Sequence, residues 1–235
     1  MKKIYVLFLM ISVTVVFCLI TSINGSETKP ANAVPELKKK VIIIDPGHGG
    51  FDGGAVAFNG TPEKNINLQI SLKLRDYLAF FGYDTVLTRD TDISLEDEGT
   101  ETIRQKKSSD IHNRLALFNS VDNSILISVH QNFYSEEKYS GSQMFYSPNN
   151  EDKSSVLAQD IQNSIVCNVQ KDNKREIKKC DSSVYLIYNS QKPAVLAECG
   201  FISNREESQK LQTDEYQNKI ALSVALGIID YYSEN

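Results

Sequence analysis

Short apolar runs alternate with helical periods along most of this chain, and that alternation constrains the fold more than any other feature. Val41–Asp45, Ile125–Val129 and Ala194–Glu198 have the length and apolar character of strands buried on both faces. Asp84–Thr88, Gln143–Tyr146 and Val184–Ile187 read as further strands. Helices are predicted between them. In Pro62–Phe81, Ile66, Ile70, Leu74 and Leu78 recur at helical spacing, Pro62 suits the first turn, and Gly82 stops the run. Asp110–Asn119 would turn Ile111, Leu115 and Phe118 inward. Asp152–Val169 would do the same with Val156, Ile161, Ile165 and Val169, and Glu215–Tyr232 is a last helix. Ser94–Asp110 reads as a charged insertion, and Lys171–Lys179 as a basic stretch without period. The expectation is a single α/β domain over 41–235, with about six mostly parallel strands flanked by helices.

The N-terminus is of another kind. Lys2 and Lys3 precede an apolar run from Ile4 to Ile20. A positive start before an apolar stretch is a secretory pattern, so residues 1–25 are expected to be a signal peptide or an uncleaved membrane anchor. The polar residues 26–40, with Pro30 and Pro35, read as a linker. Export into an oxidising compartment allows one disulfide, and Cys167–Cys180 is the better pair by position. A net charge of -5 argues against a nucleic-acid binder, which needs a basic surplus.

Chemistry concentrates where strands end. Of three histidines, His48 and His130 follow buried strands directly, and ligands of open α/β sheets bind at those ends. His112 sits in a charged helix start and reads as solvated. Two histidines and a carboxylate are a common catalytic zinc set that keeps one position open. Glu63, Asp45 and Asp52 are all open as the carboxylate, with Asp45 better read as the partner orienting His48. Glu198 closes the run Ala194-Val195-Leu196-Ala197. Near a metal, such a carboxylate can take a proton from water and pass it to a leaving amine. Cys199 is expected on the opposite face of the strand, away from that site.

Five motifs, in order, resemble the zinc-dependent N-acetylmuramoyl-L-alanine amidases of bacterial cell walls. They are Ile44–Gly50, Glu63-Lys64-Asn65, Leu87-Thr88-Arg89, Ser128–Asn132 and Pro193–Asn204. The similarity spans Val41 to Tyr232, and within the family it leans toward germination-specific members of spore formers, through Arg104–Asn113 and Tyr139–Tyr146. Gln131 and Ala197 depart from residues common in the family. The resemblance implies Zn2+ held by His48, Glu63 and His130, with Glu198 as the catalytic acid/base. The substrate would be the amide between N-acetylmuramic acid and L-alanine in peptidoglycan, hydrolysed on the way to muramic-δ-lactam in spore cortex. The setting would be extracytoplasmic, in the cell wall or the forespore intermembrane space. A weakly catalytic or partner-dependent wall-binding protein on the same fold is the alternative, with Lys171–Lys179 as the surface for an exported protein partner.

Overall fold

The computed structural model describes residues 40–234. The expected signal or anchor over 1–25, and the linker over 26–40 apart from Lys40, lie outside the described residues. Six strands form one sheet: β1 (Val41–Pro46), β2 (Asp84–Leu87), β3 (Ser124–Asn132), β4 (Gln143–Tyr146), β5 (Lys178–Lys179) and β6 (Ala194–Phe201). Their order is β2-β1-β3-β6-β4-β5, and every described pair is parallel except β4 against β6. The helices among the described residues are α1 (Glu63–Phe80), α2 (Ile103–Ser120), α3 (Glu151–Asn168), α4 (Tyr185–Tyr188), α5 (Arg205–Leu211) and α6 (Asp214–Glu234).

Side-chain alternation divides the sheet into two faces. Ile42, Ile44, Ile127, Val129, Val195, Ala197 and Cys199 join one core with the buried stripes of α1, α3 and α6. Ile43, Leu126, Ala194 and Leu196 point the other way, onto Phe118 of α2 and Leu186 and Ile187 of α4. Asp45, Ser128, His130 and Glu198 share the parity of this second set. The face with the thinner helical cover therefore carries the polar residues.

The chain leaves β1 through α1 to reach β2, then crosses by α2 to β3 on the other side of β1. The strand order reverses between β1 and β3, and beyond the carboxyl ends of strands at such a reversal a crevice opens. His48 follows β1 and His130 lies near the end of β3.

Four expectations change. Val184–Ile187 is not a strand: Tyr185–Tyr188 is the short helix α4, because its apolar residues cap the Phe118 core rather than extend a sheet edge. α2 begins at Ile103, well inside the expected insertion. Thr102 and Gln105 form a reciprocal capping box, with Gln105 N donating to Thr102 Oγ1 at 3.2 Å and Thr102 N donating to Gln105 Oε1 at 3.0 Å. In α3 the inward residues are Leu157, Ala158, Ile161 and Ile165, whereas Val156 is exposed. Cys167 is exposed, Cys180 buried in the second core, and both are free thiols, so the expected disulfide is not formed.

Candidate metal centre and catalytic cleft

The loop after β1 places the first histidine by an uncommon backbone. His48 has φ 60, followed by Gly49 at φ 135 and Gly50 at φ 53. Left-handed backbone disfavours a residue with a Cβ and persists only where the surroundings over-determine it. Here two buried guanidiniums do so. Arg89 donates from Nε to the carbonyls of Pro46 (2.9 Å) and His48 (2.7 Å), and from Nη2 to Gly47 O and Lys64 O, each at 3.0 Å. Arg114 donates from Nη1 to Pro46 O (3.0 Å) and from Nη2 to His48 O (2.8 Å). The inward carbonyls of Pro46, Gly47 and His48 need such donors, since an unpaired buried carbonyl is costly.

Asp45 anchors the guanidinium. Its Oδ1 accepts from Arg114 Nη1 and Thr88 Oγ1, each at 2.6 Å, and its Oδ2 accepts from Ser128 Oγ at 2.6 Å. Burial raises the Asp45 pKa, but Arg114 and the two hydroxyls outweigh it and hold it at about 2. This corrects the expectation that Asp45 orients His48. The partner of the imidazole is Asp52, whose Oδ2 lies 2.9 Å from His48 Nδ1.

Glu63 opens α1 and is only 3% exposed, so it is far more than a solvated first-turn acid. Its Oε2 accepts from Ala55 N at 2.9 Å, and its Oε1 from Gln131 N at 3.0 Å and Asn67 Nδ2 at 3.1 Å. The same carboxylate stands 3.3 Å from His48 Nε2 and 3.1 Å from His130 Nδ1. The two imidazole rings meet edge to face at 4.9 Å. Ligand atoms of His48, Glu63 and His130 lie within 4.8 Å of one another, as a bound metal ion requires. Close backbone makes the room: a Cβ on Gly47 would fall 2.1 Å from His130 Nε2, and one on Gly54 would fall 2.5 Å from Glu63 Oε2.

The electrostatics fit a cation at this point. Burial would push the Glu63 pKa up, yet contacts with His130 and His48 hold it far below the usual carboxylate range. Burial would lower His48, yet Asp52 and Glu63 raise it to about 9. The pocket thus favours positive charge between two carboxylates. Two imidazoles and one carboxylate are donors suited to zinc, and His48 already has the outer carboxylate that fixes such a ligand.

Glu198 faces this cluster from β6, where it is in register with His130. Burial raises its pKa to about 7; His130 pulls the value down and Glu63 pushes it up. Its Oε2 is buried without a hydrogen-bond partner. Cys199 points into the opposite core, as expected, and burial with Glu198 nearby pushes its thiol well above the ordinary range. His112 is exposed and tilts against Tyr185 at 4.8 Å, away from the cluster. A cleft of about 390 Å³ opens over His48, His130 and Glu198, walled by α2 and α4. Asp52, Arg89, Arg114 and Asn67 complete the site. Arg89 stands in a motif singled out from the sequence, whereas Arg114 carries no local signal and is identified only by where α2 docks.

The chain matches the family model Amidase_3, N-acetylmuramoyl-L-alanine amidase, over residues 42–230. It is 36% identical over 211 residues to the germination-specific N-acetylmuramoyl-L-alanine amidase of Bacillus subtilis (strain 168), covering 90% of this chain and 86% of that protein. Among solved structures it is similar to the CwlD amidase of Clostridioides difficile, in complex with the GerS lipoprotein. There the TM-score is 0.80 and the identity 39%, over 84% of this chain and 100% of that one. The amidase AmiC2 of Nostoc punctiforme aligns with a TM-score of 0.69 at 29% identity, over 83% of this chain and 97% of that one. A six-stranded sheet with its crevice at the β1/β3 reversal, a His-Glu-His cluster there and a family match over nearly all the described residues agree: this chain belongs to the N-acetylmuramoyl-L-alanine amidases, hydrolases of peptidoglycan.

Proposed function

We propose that the chain is a zinc-dependent amidase of spore-cortex formation, with His48, Glu63 and His130 holding the metal and Glu198 acting as general acid and base. One observation carries the assignment of roles. A buried carboxylate oxygen without a partner, Glu198 Oε2, faces three converging ligand atoms across neighbouring strands. When bound, zinc supplies Lewis acidity, lowering the pKa of water and stabilising negative charge that develops on oxygen. Glu198 accepts a proton from the attacking water as the new C–O bond forms at the lactyl carbonyl. It then delivers that proton to the alanine nitrogen as the C–N bond breaks, which frees a peptide beginning with L-alanine. A carboxylate whose pKa burial has raised toward neutrality suits a group that must both take and give a proton. Asp52 orients His48, while Arg89 and Arg114 hold the loop that carries it.

Cell-wall chemistry places the protein outside the cytoplasm, and the Met1–Gly25 segment serves as its export signal or anchor, followed by the 26–40 linker. Among the described residues no helix is long and apolar enough to cross a membrane. The germination-specific name of the Bacillus relative supports the cortex role. That the Clostridioides relative is in complex with a lipoprotein supports the second reading, dependence on an exported partner. For such a partner the basic segment offers Lys171, Lys174 and Lys178 as exposed cations. Arg175 is turned inward instead, with Nε on Ser140 O at 2.7 Å, and Lys179 pairs with Glu151 at 2.6 Å.

The test is digestion of purified peptidoglycan with and without chelator, followed by mass analysis. The wild type is expected to free L-alanine-ended peptides only with metal, and Glu198→Gln to keep stoichiometric zinc while losing hydrolysis. Near-normal peptide release by Glu198→Gln removes Glu198 from the role. Zinc binding and turnover by the purified chain alone remove the partner-dependent reading.

A further inference from the structure

Four residues of α2 line the cleft: Lys107, Asp110, Ile111 and Arg114. Their spacing, three and four residues apart, puts them on one helix face. Two are cations, and their situations differ. Arg114 is 2% exposed, and its guanidinium is fully engaged with Asp45, Asp110, Pro46 O and His48 O. Lys107 is 53% exposed at the cleft wall, and its ammonium meets Asp52 Oδ1 at 2.9 Å. That contact uses one of three N–H donors and ties the lysine to the carboxylate that holds His48. The other charged groups lining the cleft are Asp45, Asp52, Asp110 and Glu198, with the two histidines. Apart from the metal position, Lys107 is the lining cation that keeps hydrogen-bond donors open to a substrate anion, since Arg114 is engaged by Asp45, Asp110 and the loop carbonyls.

We propose that Lys107 is a substrate-binding residue that takes a free carboxylate of the stem peptide and thereby orients the substrate in the cleft. The inference rests on the amidase reading above and deepens it. The muramoyl carboxyl group is consumed in the scissile amide, so the free carboxylates of a muramoyl peptide all lie on the peptide side. A cation with donors to spare, placed in the cleft wall, therefore reads the peptide and directs it along α2. The remaining donors of Lys107 serve the substrate while Asp52 keeps its contact, so binding need not disturb His48.

The experiment compares two synthetic N-acetylmuramoyl tripeptides, identical except that the peptide carboxylates are free in one and carboxamides in the other. Zinc-loaded wild type, Lys107→Met and Lys107→Arg are assayed on both. Wild type is expected to favour the free acid by about tenfold in kcat/KM, chiefly through KM, as one charge-assisted contact provides. Lys107→Met brings the ratio close to one, and Lys107→Arg restores most of it. The ratio is taken within each variant, so any loss of folded or zinc-loaded enzyme cancels. Equal rates on both substrates by wild type overturn the proposal. So does a Lys107→Met variant that keeps the wild-type ratio while losing activity on both substrates alike, since that marks a role through Asp52 only. Release of no L-alanine-ended peptide from either substrate by zinc-loaded wild type overturns the amidase reading itself.

Discussion

Replacing Arg114 by Met tests how the cleft is held together. The guanidinium and the Asp45 carboxylate are each about 2% exposed and meet at 2.6 Å. Removing one partner leaves Asp45 charged and buried, with only Ser128 and Thr88 donating to it, and takes a donor from each of two loop carbonyls. Breaking a buried pair in this way costs roughly 3–5 kcal/mol. For a domain of this size each kcal/mol lowers Tm by roughly 2–4 °C, so Arg114→Met is expected to melt about 6–20 °C below wild type. The pH dependence follows the same pair. The Asp45 pKa falls from 3.8 to about 2 on folding, a shift equivalent to about 2.4 kcal/mol. Because the folded value is the lower one, this stability is complete above about pH 4 and is lost as pH falls toward 2. Urea unfolding between pH 2 and 7 should show the loss in wild type and a flatter profile in Arg114→Met. Asp45→Asn with Arg114→Met should cost less than the sum of the single changes, since neither charge is then stranded. An Arg114→Met variant within about 1 kcal/mol of wild type, or single effects that simply add, would refute the reasoning.

Two further outcomes follow from the site. Gly47→Ala puts a Cβ where the His130 ring lies, so zinc stoichiometry by metal analysis should fall sharply while far-UV circular dichroism stays native; full zinc retention would contradict the packing. Glu198 is buried with a pKa raised from 4.5 to about 7, so its contribution is present below about 4.5 and lost as pH rises through 7. In chelator at pH 8, Glu198→Gln should therefore be more stable than wild type, by up to about 3 kcal/mol, and the gain should vanish at pH 4. A Glu198→Gln variant less stable than wild type at pH 8 would show that the carboxylate is solvated.

Strand ends are legible in a sequence because apolar, β-branched runs stop at polar or turn-forming residues, and His48, His130 and Glu198 each close or follow such a run, although β3 and β6 continue to Asn132 and Phe201. By spacing alone Glu63 is one acid among several, and only the motif order singles it out. Asp45 lies close to His48 in the chain, which suggests a partnership that the fold does not form. In space it turns under the sheet end toward Arg114, and the tight left-handed turn at His48 brings Asp52 back onto the ring instead. The start of α2 is not legible from periodicity because its exposed face carries charges without apolar period, although Thr102 and Gln105 mark the cap. The strand expected at Val184–Ile187 failed for the opposite reason. An apolar quartet has no period of its own, and the Phe118 core it covers set its form.

By itself the sequence determined the alternating α/β architecture, the residues that end its central strands and the family to which they belong, since these depend on local periodicity and residue type. Tertiary structure alone decided that Asp52 rather than Asp45 meets His48, how Arg89 and Arg114 fasten the His48 loop, and that Lys107 stands half-exposed at the cleft wall against Asp52. Those are contacts between segments far apart in the chain, and they are set by the sheet register and the docking of α2, neither of which a local pattern encodes.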